Sequence, residues 1–275
     1  MPNPAFVHLR LHSEYSITDG IVRIDEAVER AAADGMPALA ITDLANVFGM
    51  VKFYKAARAA GVKPVIGCDL WITNESERDK PYRLLLLAQS RAGFLRLSEL
   101  LTRAWLENQH RGRAELRKSW FGEGTEGLIA LSGAMQGDVG VALLQDQGEL
   151  SKRLAQEWAR LFPGRFYLEL QRAGAPQTES YVEAVVRLAG SCSLPVVATH
   201  PVQFLKPEDF TAHEARVCIA EGYVLGDRRR PRAFTPKSYF LSQAEMGELF
   251  KVLALTRSDR IAWPGFAQGD RSHRL

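Results

Sequence analysis

Residues 6–11 place Phe6, His8 and Arg10 in alternation with Val7, Leu9 and Leu11, the two-residue period of a strand. A polar stretch, 12–20, closes it. Ile24, Ala27, Val28 and Ala31 then recur at helical spacing as far as Gly35, and the apolar run 38–42 predicts the next strand. The chain keeps this rhythm. Val47, Met50, Val51, Tyr54 and Ala57 mark a second helix that stops at Gly61, and 62–66 reads as a strand. The aliphatic run 84–88 is a buried strand, followed by a helix carrying Phe94, Leu97, Leu100, Leu101 and Trp105. Strands at 128–131, 166–170 and 195–199 complete the series, with helices between them marked by Leu154, Trp158 and Leu161 and by Tyr181, Val185 and Leu188.

Roughly seven strands alternating with helices predict an α/β fold whose mostly parallel sheet is closed, or nearly closed, into a barrel. In such a barrel, chemistry gathers at the C-terminal ends of strands. The residues expected there are His12, Asp43, Asp69, Ser132, Glu169 and His200, most of them polar or metal-capable.

Composition narrows the setting without choosing a function. With 275 residues and 46% hydrophobic content, the chain can bury a substantial core as one barrel or two smaller domains. The net charge of +3, from 35 basic and 32 acidic residues, does not by itself identify a nucleic-acid binder. Cys68, Cys192 and Cys218 are odd in number and widely spaced, which indicates neither a disulfide framework nor a zinc ribbon and fits a reducing cytoplasm. No apolar leader stands at residues 1–10, and the run 84–88 is far too short to span a bilayer, so no membrane role is expected.

The segments FVHLRLHSEYSITDG, ALAITDLANVFGMVKFYKAA, GVKPVIGCDL and VVATHPVQFL resemble, in order, four motifs of the PHP (polymerase and histidinol phosphatase) family. LIALSGAMQGDVG, FYLELQRAG, FTAHEARVCIAEG and RRRPRAFTPKSYFLSQAEMGELF resemble the N-terminal domain of bacterial DNA polymerase III α subunits of the proteobacterial type. The resemblance implies a distorted (β/α)7 TIM-like barrel over residues 1–255. It also implies, as partners, the rest of the α subunit and a proofreading exonuclease subunit, with primer-template DNA as a further candidate.

A complete PHP site is a cluster of divalent metals held by histidine and carboxylate ligands, which activates water against a phosphoryl group. Here the resemblance puts Arg10 at the first histidine position, although His12, Asp19, Asp43 and Asp69 remain. Leu44, Ala134, Pro201 and Gln203 fall where the family has further ligands. Arginine is permanently protonated and leucine has no lone pair, so no tight metal cluster, no cofactor and no catalytic residue are expected. An Arg10 guanidinium is expected in the cation's place, bonded to Asp19, Asp43 or Asp69. The alternative is an active metal-dependent phosphoesterase or 3′–5′ exonuclease using those four residues with manganese, zinc, iron or magnesium.

Plainer readings stand beside these. His12 and Asp19 read equally as a hydrogen-bonded pair, Asp43 as the cap of a helix near Asn46, and Cys68 as a small buried apolar residue. His200, Asp209, His213 and Glu214 match no metal-ligand spacing. The cluster Arg228, Arg229, Arg230 and Arg232 is a candidate phosphate contact, as is the stretch with Arg103, His110, Arg111, Arg113, Arg117 and Lys118; a solvated loop explains each as well. Residues 256–275 depart from the family and read as a disordered tail, expected of a truncated or frame-shifted product. The polymerase palm is missing, so no DNA synthesis is expected of this chain alone.

Overall fold

The computed structural model describes residues 6–230 and 232–256. Residues 257–275, nearly all of the expected tail, lie outside the described residues. Helix α1 (Ile24–Ala33) buries Ile24, Ala27, Val28 and Ala31, the stripe read from the sequence, and carries Asp25 and Glu26 at its positive N-terminal end. It leads into β1 (Ala38–Ile41), buried at every position. Helix α2 (Met50–Ala59) turns in Phe53 and Ala57, then β2 (Lys63–Ile72) returns parallel to β1.

The next step departs from a uniformly parallel sheet. Between β2 and β3 (Tyr82–Ala88) no helical stripe intervenes, and the short connection makes the pair antiparallel. The run Leu84–Leu87 is buried on both faces, and such a run carries no sign of strand direction. Helix α3 (Arg91–Glu107) is capped by Ser90, whose hydroxyl accepts from Gly93 N–H. A tight hairpin follows, β4 (Gln109–His110) and β5 (Arg113–Leu116), turning through Arg111 and Gly112 at positive φ; the apolar pattern gave no notice of it.

Strands β6 (Leu128–Leu131), β7 (Phe166–Gln171) and β8 (Val196–Thr199) run parallel in sequence, with β6 antiparallel to β3. Helices α4 (Asp138–Leu144), α5 (Gly148–Leu161) and α6 (Thr178–Cys192) lie between them. Helices α7 (Phe210–Glu221) and α8 (Gln243–Thr256) complete the described chain. The strand order is β4-β5-β2-β3-β6-β7-β8, with β1 on β2.

The expected first strand, 6–11, is an extended segment with an isolated bridge at Leu11 rather than a strand in the ladder. It still joins two parts of the sheet. His8 C=O accepts from Ala40 N–H at 2.9 Å on the β1 side, and His12 N–H donates to Val202 C=O at 2.9 Å just beyond β8. Both of its faces are buried, Phe6, His8, Arg10 and His12 as fully as Val7, Leu9 and Leu11. The result is a mixed α/β fold in which this segment carries polar side chains into the interior.

Candidate functional site

Five pieces of chain, far apart in sequence, meet at this segment. Arg10 and His12 point from it, Ser16 and Asp19 come from the following loop, and Asp43 comes from just after β1. Asp69 lies inside β2, not at its end as the sequence pattern suggested, because β2 runs on to Ile72. Arg83 stands on β3 and Glu169 on β7. The loop is shaped by its own backbone bonds, Ser16 N–H to Ser13 C=O at 2.9 Å and Gly20 N–H to Ser16 C=O at 2.8 Å. A Cβ at Gly20 would lie 2.0 Å from the Ser13 carbonyl oxygen, so only glycine permits the closure that presents Asp19 inward.

Arg10 is the hub. Its Nε and Nη2 donate to the two Glu169 oxygens, each at 3.0 Å, in a bidentate fork, and Nη1 donates to Asp69. Arg83 approaches the same aspartate with Nε at 3.2 Å from Oδ1, and with Nη2 bonded to Oδ2, while its guanidinium lies 4.2 Å over the Trp71 ring. Asp69 is thus held between two arginines. The expectation that Arg10 would bond an acidic remnant holds for Asp69; Asp19 and Asp43 are bonded elsewhere, and Glu169 takes the whole of the fork.

His12 Nδ1 lies 3.0 Å from both Asp19 oxygens, and Nε2 lies 3.1 Å from Asp69 Oδ2. Burial opposes its protonation, but Asp19 and Asp69 outweigh burial and raise its pKa to about 9. His12 is therefore an imidazolium at neutral pH. Burial works against the Asp19 and Asp69 charges as well, yet His12 holds Asp19 below the usual range, and Arg10 and Arg83 hold Asp69 far below it. An imidazolium Nδ1–H faces Gln203 at 3.3 Å, so the amide is best oriented with Oε1 toward it, giving an otherwise partnerless buried oxygen a donor.

Asp43 does not cap the helix near Asn46; α2 starts after Gly49 without a side-chain cap. It accepts instead from Ser13 N–H at 2.6 Å and Ser13 Oγ at 2.9 Å. Burial pushes its pKa up to about 6 against those bonds. Glu169 gains Gln171 Nε2 at 2.9 Å and the Thr199 hydroxyl. Among the described residues, no three His, Cys, Asp or Glu side chains converge as a metal-holding group. The carboxylates face N–H donors from Arg10, Arg83, His12 and Ser13.

The remaining sequence candidates lie at the edge of this cluster or away from it. Leu44 N–H donates to Ser16 Oγ at 3.0 Å, and Ala134 is buried with φ of 50°. Pro201 is half-buried and Gln203 buried at the edge of the cluster. His200 donates to Tyr239 C=O at 3.0 Å, and His213 to Asp19 C=O at 2.8 Å; both act in packing. Cys68 is fully buried. In the basic stretch, Arg103 pairs with Glu107 and Glu123, His110 and Arg111 with Asp79, and Lys118 with Asp138 and Glu157, so much of its charge is spent internally. Arg83 and Glu169 are what sequence reasoning missed or left without a role. A lone arginine beside a leucine run was the one available signal for the first.

Comparison with known proteins places this geometry. The PHP domain family matches residues 8–173, and the chain belongs to that family. Within it, the chain matches the N-terminal region of proteobacterial DNA polymerase III α subunits. It is 47% identical over 90% of its length to DNA polymerase III subunit alpha of Pseudomonas aeruginosa, and 50% identical over 92% to that of Neisseria meningitidis serogroup A. It spans about a fifth of each relative, 21% and 22%. An amidohydrolase from Chromobacterium violaceum with bound sulfate and no metal shares the fold, with a TM-score of 0.53 at 15% identity over 77% of this chain and 97% of that one. No helix among the described residues is long and apolar enough to cross a membrane.

Proposed function

We propose that the chain is a metal-free PHP domain of a replicative polymerase α subunit, serving as a structural element that supports the rest of that subunit and docks the proofreading exonuclease. The observation that carries this reading is the hub formed by Arg10 and Arg83 on Asp69 and Glu169. Two guanidinium groups and the His12 imidazolium put three positive charges against Asp19, Asp69 and Glu169, and so do the electrostatic work a divalent cation does in a complete site. The donor set does not fit a metal: Arg10 offers no lone pair, both His12 nitrogens are engaged with carboxylates, and Leu44 and Pro201 contribute no ligand atom. The sequence relationship to α subunits supports the replicative setting.

The test is elemental analysis of the chain purified without chelator, together with co-elution against the purified exonuclease subunit. Bound metal far below one equivalent, with co-elution, is the expected result. Near-stoichiometric manganese, zinc or iron with phosphoesterase activity lost in Asp19→Ala would establish the hydrolase instead. Absence of co-elution would remove the docking role.

A further inference from the structure

In the arginine cluster at 228–232, Arg229 pairs with Asp227 and Arg230 with Glu214, while Arg228 and Arg232 are exposed. A tighter convergence of arginines lies on the sheet. Strand β2 carries Trp71 between two neighbours, with Arg83 opposite it on β3 and Glu115 opposite it on β5. Because side chains alternate along a strand, Asp69, Trp71, Arg83, Arg113 and Glu115 all stand on one face. The other face carries Leu70, Ile72, Leu84, Leu86, Ala114 and Leu116, all part of one apolar core. The face away from that core is therefore a strip of charge with an indole at its centre.

Two similar clusters flank the indole. On one side Asp69 lies between Arg10 and Arg83, and the Arg83 guanidinium is 4.2 Å from the centre of the Trp71 ring. On the other the fully buried Glu115 lies between Arg78 and Arg113, each 3.4 Å from one of its oxygens, and the Arg113 guanidinium is 5.7 Å from the centre of the same ring. Arg113 also donates to the Arg78 carbonyl at 3.1 Å, and Arg78 to Asn108 Oδ1 at 3.2 Å, which ties this cluster to the start of the hairpin. Each ring-bound guanidinium thus serves a buried carboxylate as well as the indole. A guanidinium that leaves the ring also shifts from a carboxylate whose burial is costly without it. Arg83 and Arg113 reach the ring from strands on opposite sides of β2, so a swing of the ring toward one withdraws it from the other.

We infer that Trp71 is a positioning residue that holds Arg83 on Asp69 and Arg113 on Glu115 together, so that the hub and the β4–β5 hairpin loosen as one unit. The inference goes beyond the role proposed above: it concerns the chain's own residues and holds whatever partner the domain serves. A disturbance of the hairpin then reaches Asp69 through a contiguous series of contacts, without any group of the hairpin touching it.

Native-state hydrogen exchange of the full chain, followed by NMR, tests this at three protons: Arg83 Nε–H, bonded to Asp69 Oδ1; Glu115 N–H, bonded to the Asn108 carbonyl; and Ala40 N–H, bonded to the His8 carbonyl, as a reference on β1. Arg113→Met should speed exchange of Arg83 Nε–H about tenfold and leave Ala40 unchanged. Trp71→Leu should speed Arg83 and Glu115 together, and Trp71→Phe, which keeps a ring, should restore most of the protection. Arg113→Met added to Trp71→Leu should change Arg83 no further. Three results would each overturn the proposal: Arg83 exchange unchanged or slowed in Arg113→Met, an equal acceleration by Arg113→Met once Trp71 is replaced, or an equal acceleration at Ala40, which reports lost stability of the whole fold. Arg113→Met leaves the indole in place, so its result decides even where Trp71→Leu does not fold.

Discussion

His8 and His12 sit four residues apart on one extended segment, each almost completely buried, and their pKa values are displaced in opposite directions. His12 faces Asp19 and Asp69 and is raised to about 9. His8 is lowered to about 3, first by burial and then by His200, whose ring centre is 6.2 Å away, with Arg30 adding to the effect. Its one hydrogen bond, to Leu241 C=O at 2.7 Å, is satisfied by a neutral ring, and Nδ1 has no partner. His200, lowered to about 4 chiefly by burial, repeats the pattern against Tyr239 C=O. Burial is common to both regions. What differs is whether carboxylates or carbonyls and a second histidine lie across the interior, and that decides which side of neutrality each imidazole occupies.

The largest effect should come from removing the hub. Arg10→Met leaves Glu169 without its fork and Asp69 with one of its two arginines, and urea unfolding at pH 7 should register a loss of about 3–5 kcal/mol. A change below about 1 kcal/mol would mean the hub is not what balances these carboxylates. Asp19→Asn should cost on the order of 2–3 kcal/mol and bring the His12 titration, followed by NMR, down from about 9. The His8 titration should not move in that variant, since its value does not depend on Asp19.

The pH profile sharpens the same contrast. His12 has a folded value above its ordinary 6.5, so its contribution is complete below pH 6.5 and is lost as pH rises through about 9. His8 and His200 have folded values below 6.5, so theirs is complete above pH 6.5 and is lost as pH falls toward about 3 for His8 and about 4 for His200. Unfolding free energies from acid to alkaline pH should therefore fall on both sides of neutrality. Asp19→Asn should flatten the alkaline limb and, because the Asp19 carboxylate is itself held below its usual range, the most acid part of the profile as well; an unchanged alkaline limb would break the assignment. The smallest effect belongs to Asp43→Asn. With its pKa raised to about 6, ionised Asp43 costs stability above that pH, so the variant should lie within about 1 kcal/mol of the parent at pH 7 and compare less favourably near pH 4.

Much of the scaffold was legible because apolar spacing reports burial directly. The stripe Ile24, Ala27, Val28 and Ala31 and the runs at 38–41, 84–88 and 196–199 are elements of the structure. The direction of β3 was not legible, since a strand buried on both faces reads the same either way. Nor was the β4–β5 hairpin, too short to establish a period. In the site, Arg10 with Asp69 and His12 with Asp19 were within reach of the motif resemblance. Glu169 lies 159 residues from Arg10, and Arg83 belongs to no motif considered.

By itself, then, the sequence determined the apolar spacing that builds the scaffold and the residue types brought to the site, among them an arginine at position 10, a leucine at 44 and a proline at 201. Those are properties of side-chain chemistry, and no packing can change them. Only the tertiary structure decided who pairs with whom, that Arg83 shares Asp69 with Arg10, and that His12 is charged while His8 is not. Electrostatic interaction in a poorly screened interior depends on distances of a few ångströms between atoms contributed by different strands, and the order of residues along the chain does not contain them.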